Sequence, residues 1–219
     1  FELIPRLFVQ GLGSAGNPQA VTGLNPLLQY GFSVSGAGTG LLTIDYTVRN
    51  SSAVQSFNDL RFMLFANPDG GADFMDTVTE KWGAPAAGDP VRREARVPDA
   101  VNGILSRIAL TGNLTEAPTA IDATCAGGAG CDANVALQWT TALLAPGQTM
   151  RVRVGLSDDG QALSGRFLTI QSASDAGTAL TLSGQVQVVP EPGTTALLLA
   201  GLLGLGLLVQ RRASTAGAR

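Results

Sequence analysis

Apolar and polar residues alternate over two stretches of the chain. In residues 41–49, Leu42, Ile44, Tyr46 and Val48 fall on one side, and Thr43, Asp45, Thr47 and Arg49 on the other. Residues 149–156 repeat the arrangement, with Met150, Val152, Val154 and Leu156 set against Thr149, Arg151, Arg153 and Gly155. A period of two marks a β-strand with one buried and one wet face. Less regular patterns predict strands at 28–35, 59–66, 91–97, 104–110, 135–142, 166–171 and 179–189. Turn formers separate them: Asn67-Pro68-Asp69-Gly70-Gly71, residues 84–90, Pro146-Gly147 and Asp158-Asp159-Gly160. About nine short strands at such spacing predict an all-β fold, an antiparallel two-sheet sandwich of immunoglobulin or jelly-roll outline.

The pattern changes after residue 192. Residues 193–210 carry no charge and consist mostly of Leu, Gly and Ala. As a helix they would reach roughly 27 Å, close to the thickness of a bilayer's hydrocarbon core. A segment apolar on every side and closed by Arg211-Arg212 predicts one C-terminal transmembrane helix rather than a buried core helix. The resulting division is an extended N-terminal segment at 1–20, a sandwich domain at 21–189 and a membrane tail at 190–219.

Charge sharpens this picture. Residues 1–192 hold 11 basic and 17 acidic residues, a net charge of −6, whereas 193–219 hold only Arg211, Arg212 and Arg219, a net charge of +3. Arginines beyond an apolar span face the cytoplasm, which puts the acidic body on the far side of the membrane. Charged residues make up 14% of the chain, which argues against a disordered polar tail and against a nucleic-acid partner. The first residue is Phe1, and no basic, apolar leader is visible, as expected if a signal peptide has been removed.

The tail contains a further pattern. Val189-Pro190-Glu191-Pro192, then the apolar span, then Arg211 and Arg212, resembles the three-part PEP-CTERM sorting signal. The resemblance covers about the last 30 residues. It implies export through the inner membrane of a Gram-negative bacterium, often one that makes exopolysaccharide, and processing by an exosortase near the Pro-Glu-Pro motif. Passengers of such signals vary widely, so the resemblance supplies an address and no activity. Ala136-Leu137-Gln138-Trp139, residues 144–149 and residues 154–160 are similar in style to such passengers, and imply a sandwich without chemistry.

Candidate chemistry is sparse. The chain has no histidine, which removes Ser-His and Cys-His nucleophile pairs, and no Gly-x-Ser-x-Gly elbow. The expectation is a protein that is not an enzyme and has no cofactor. Cys125 and Cys131, separated by five small residues, are placed for a disulfide in an oxidising compartment. Gly11, Gly13 and Gly16 match a dinucleotide-binding spacing, but Asn17-Pro18 follows where a helix would have to begin. Asp69, Asp73 and Asp76, with Asn67 and two glycines, form a weak Ca²⁺ candidate, more simply read as a solvated turn. Arg92, Arg93 and Arg96 read as a wet sheet face or as a docking patch for an acidic partner.

Two roles fit these features. In the first, which is slightly preferred, the protein is a retained single-pass subunit of a larger inner-membrane complex, for example a respiratory or photosynthetic one. Ala196, Ala200 and Gly204, spaced four apart, would then let a partner helix approach closely within the lipid bilayer. In the second, favoured by the motif itself, exosortase cuts the tail and the body passes to the surface or the extracellular matrix.

Overall fold

The alternating stretches become neighbouring strands. In the computed structural model, residues 2–10, 19–20, 26–67, 75–97, 103–115, 120–175, 177, 179–190 and 202 are described. They form β1 (Glu2–Gln10), β2 (Gln19–Ala20), β3 (Leu28–Ser35), β4 (Leu41–Asn50), β5 (Phe57–Asn67), β6 (Asp76–Lys81) and β7 (Arg92–Arg96), then α1 (Ile104–Thr111) and α2 (Ala123–Ala126), then β8 (Asn134–Leu144), β9 (Thr149–Ser157), β10 (Phe167–Ser172) and β11 (Ala179–Val189). The strands make two antiparallel sheets, ordered β2-β1-β5-β8-β7 and β3-β4-β9-β11-β10-β6. The chain divides into two units, Phe1–Val188 and Val189–Arg219. Among the described residues no helix is long and apolar enough to cross a membrane. The span predicted at 193–210 lies outside them, apart from Leu202.

The core lies between the sheets. Leu60, Phe62 and Leu64 of β5 and Leu137 and Trp139 of β8 meet Ile44 and Val48 of β4, Val152 and Val154 of β9, Leu168 of β10 and Leu182 of β11. The five-stranded sheet is also covered on its other side. Phe8, Met63, Phe65 and Ala136 point there and pack with Ile104 and Ile108 of α1 and with Leu114. This explains why β5 is apolar almost without alternation, since a strand buried on both faces has no wet side.

Two sequence expectations change here. Residues 104–110, predicted as a strand, are the helix α1. Ile104 and Ile108 are four apart and lie on one helical face, and Gly112 closes the helix in the left-handed conformation (φ 63°). The N-terminal segment 1–20, placed outside the sandwich, supplies β1, which pairs with β5 from Glu2↔Asn67 onward. β1 buries Leu7 and Val9 toward the sheet interface and Phe8 toward α1, so it too lacks alternation. Near its end, Asp59 at φ 48° makes the bulge at which the β1–β5 register shifts.

The loops are held by buried amides. The Gln138 carboxamide is buried; its Oε1 accepts from Leu114 N–H (2.8 Å) and its Nε2 donates to Asn113 Oδ1 (2.9 Å), which fixes the chain leaving α1. Asn50 ties the end of β4 to the end of β8. Its Nδ2 donates to Gln55 O (2.7 Å) and Leu144 O (3.0 Å), and its Oδ1 accepts from Ser52 N–H (3.0 Å). Asn50→Ala leaves these interior groups unpaired, at a cost of about 1–3 kcal/mol for the first of them alone. The expected result is a clear drop in the urea midpoint of Asn50→Ala; an unchanged midpoint would show that the amide is not a structural tie.

Candidate functional site

Most of the sequence-predicted tail lies outside the described residues, but the point where the body hands over to it does not. β11 ends at Val189, and Pro190 follows as an exposed residue without strand structure. Proline has no N–H to donate, so a sheet ladder ends naturally in front of it. The first half of β11 is locked in place. Leu182 is fully buried in the core. A Cβ added at Gly184 would come within 2.6 Å of Arg153 O and 2.7 Å of Trp139 Cζ2, so only glycine fits this crossing. The second half alternates outward, with Gln185, Gln187 and Val189 exposed, and Val186 N–H bonds to Gly88 O (2.8 Å). A rigid strand thus carries the chain to the surface immediately before Glu191-Pro192. Glu191, Pro192, Arg211, Arg212 and the small-residue face Ala196, Ala200 and Gly204 are outside the described residues.

Cys125 and Cys131 form a disulfide, with Sγ atoms 1.97 Å apart. Both are buried, and Asp122 caps α2 beside them by accepting from Thr124 N–H (2.9 Å). The ring anchors the start of β6, because Cys131 and Asp76 exchange backbone hydrogen bonds of 2.7 and 2.8 Å. Of the calcium candidates, Asp69 and Asp73 lie outside the described residues, and Asp76 is a buried residue at the start of β6. Among the described residues, no cluster of three His, Cys, Asp or Glu could hold a metal.

The arginines of β7 do not form a patch. Strand alternation sends Arg93 to one face and Arg92 and Arg96 to the other. Arg93 pairs with Glu80 (2.5 and 2.8 Å), and its guanidinium lies 4.7 Å from the Trp82 ring centre. Arg166 lies over the same ring at 4.8 Å. Arg96 pairs with the buried Glu94 (2.7 Å), and Arg92 donates to Leu114 O (2.8 Å). Each of the three has a partner within the fold, which removes the docking-patch reading.

A second ionic cluster sits on the outer face of the six-stranded sheet. Asp45 Oδ1 accepts from Arg151 Nε and Arg153 Nε, both at 2.9 Å, and Oδ2 accepts from Arg153 at 3.1 Å. These residues stand out in the sequence as the wet sides of two alternating strands, but only the β4–β9 register brings them together. The hydrogen bonds to Arg151 and Arg153 hold the Asp45 carboxyl below the usual carboxylate range.

Fold and exit point together describe a β-sandwich whose last described strand ends immediately before Pro190. Residues 188–212 match the PEP-CTERM protein-sorting motif. No domain is recognised in the rest of the chain, and neither the curated proteins nor the solved structures contain a match. The motif implies export and a membrane-anchored C-terminus, and it is consistent with exosortase as a processing partner.

The Asp45 cluster yields a pH test. A lowered folded-state value means that the stability contributed by Asp45 is complete above the ordinary carboxylate range. It is lost as the pH falls through the group's own lower value. Asp45→Asn should therefore be less stable than wild type at neutral pH, with the two denaturation midpoints converging as the solution is acidified. A gap that stays constant into strong acid would show that the ion pairs do not stabilise the fold.

Proposed function

We propose that this chain is an exosortase-processed passenger. Its tail is cut near Pro190-Glu191-Pro192, and its β-sandwich serves as a non-catalytic protein of the cell surface or the extracellular, exopolysaccharide-associated matrix. The observation that carries this reading is the sorting motif at 188–212, which begins where β11 reaches the surface. A processing enzyme must thread extended, accessible backbone through its site, and a motif inside a sheet would be protected from it. Val189 and Pro190 are both exposed.

Three further features support it. The disulfide suits an oxidising compartment outside the cytoplasm. The absence of histidine from the whole sequence leaves no imidazole for general-base work. Both cysteines are joined to each other, so no thiolate is left as a nucleophile. The retained-subunit reading gives way to this one: the motif supports processing, and nothing among the described residues supports a partner complex in the membrane.

Replacing Pro190, Glu191 and Pro192 together with alanine tests the proposal in cells that contain an exosortase. Wild type should yield a shortened form outside the inner membrane, whereas the triple variant should accumulate at full length in the membrane fraction. Equal processing and equal distribution of the two would contradict it.

A further inference from the structure

The two sheets leave four outer edges among the described residues, and three are protected against pairing with another chain. β7 carries Arg92, Arg93, Glu94 and Arg96 in five residues. β6 carries Asp76, Glu80 and Lys81. On the remaining edge of the five-stranded sheet, β2 covers Phe8 and Val9, and the rest of β1 carries Pro5 and Arg6. Charges and proline on an edge are the usual means of preventing strand addition. β3, with the sequence Leu-Gln-Tyr-Gly-Phe-Ser-Val-Ser, has eight residues and neither charge nor proline. It pairs with β4 along one side from Leu28↔Asn50 to Ser35↔Thr43, and among the described residues nothing pairs with its other side.

The side chains of this edge are also unusual. Tyr30, Phe32 and Val34 lie opposite Val48, Tyr46 and Ile44, on the face turned toward the other sheet. They are nevertheless 42%, 73% and 53% exposed, because the five-stranded sheet does not extend over them. Phe32 continues an aromatic series out of the core: its ring centre is 6.5 Å from Tyr46, Tyr46 is 5.0 Å from Phe62, and Phe62 is 6.2 Å from Trp139. Beside the series a cleft of about 350 Å³ opens between β1 and β3, lined by Leu7, Tyr30, Phe32, Tyr46 and Phe62 among others. An open strand edge next to an apolar cleft suits strand addition, in which backbone hydrogen bonds give affinity and alternate side chains fill the cleft.

We infer that β3 is a self-association edge at which a second copy of this chain adds its own β3 antiparallel, joining two six-stranded sheets across a two-fold axis. The strand is self-complementary in charge and in pattern. Centred on Phe32, the axis sets Phe32 against Phe32 and Tyr30 against Val34 on the apolar face. It sets Gly31 against Ser33 and Gln29 against Ser35 on the polar face. The paired strands themselves bring no like charges together, although Arg6 of each copy also lines its cleft, and the two aromatic series become continuous. β6 or β7 paired with itself would bring several like charges close together. An isologous contact of this kind closes after two copies. Strand pairing with three apolar side chains from each copy falls short of the roughly 800 Å² per partner of a standard interface, so the association is weak and reversible.

Sedimentation of the full-length chain in detergent micelles tests this, with protein concentration as the variable. Wild type should pass from monomer to about twice the monomer mass as concentration rises. Phe32→Lys should remain monomeric with an unchanged melting temperature, because this side chain is mostly outside the fold. Val54→Lys, at a residue 90% exposed and outside β3, should behave as wild type. Amide exchange over residues 28–35 should slow with concentration in wild type and not in Phe32→Lys. A wild-type chain that stays monomeric up to its solubility limit overturns the proposal. So does a Phe32→Lys chain that still doubles in mass, which would place the contact in the tail or on another face.

Discussion

The five-stranded sheet is buried on both faces, and most of the structure follows from that. Phe62, Leu64, Leu137 and Trp139 fill the space between the sheets, while Met63, Phe65 and Ala136 of the same two strands need cover on the other side. Helix α1 supplies it with Ile104 and Ile108, and Leu114 completes it. Each fully buried aliphatic side chain is worth about 1.5–3 kcal/mol, so the short helix is held by its packing rather than by its length. Two of the polar side chains this burial traps are paired. Gln138, on the helix-covered face, bonds to Leu114 N–H and Asn113; Glu94 pairs with Arg96. The chain leaving α1 is fixed from three sides, since Arg61 and Arg92 also donate to Gly112 O and Leu114 O.

That double burial also explains which elements could be read in the sequence. β4, β9, β3 and β11 belong to the sheet with one open face, and their alternation or flanking turns locate them to within a residue or so. β1 was not legible, because Phe8 and Val9 are both buried, on opposite faces, and the strand shows no period of two. α1 reads as a strand because the β-branched Ile104, Ile108 and Thr111 favour strands; the opposing signal was the spacing of Ile104 and Ile108 together with Gly112. The sorting motif was legible because its parts are neighbours along the chain. The Asp45–Arg151–Arg153 cluster was not, since its members come together only through register between strands about a hundred residues apart. The arginines of β7 misled for a related reason: consecutive residues of a strand point opposite ways, and Arg93 finds Glu80 and Trp82 on a face that Arg92 does not share.

The surface that remains is consistent with a protein that works by position and contact. Among the described residues, Asp45, Asp59, Glu80 and Glu94 are each paired with arginine. Its cysteines are linked. Among the described residues, the apolar edge at β3 and the end of β11 are left open, one suited to another strand and the other to a processing enzyme. The two lie on different strands and do not compete for residues.

The central claim is that the body is separated from its tail, and the intact mass of the protein isolated from its native cells tests it most directly. The account predicts a chain that ends close to Pro190-Glu191-Pro192, found outside the inner membrane and lacking the apolar segment and Arg211-Arg212. A native protein whose mass still includes every residue to Arg219 would contradict it.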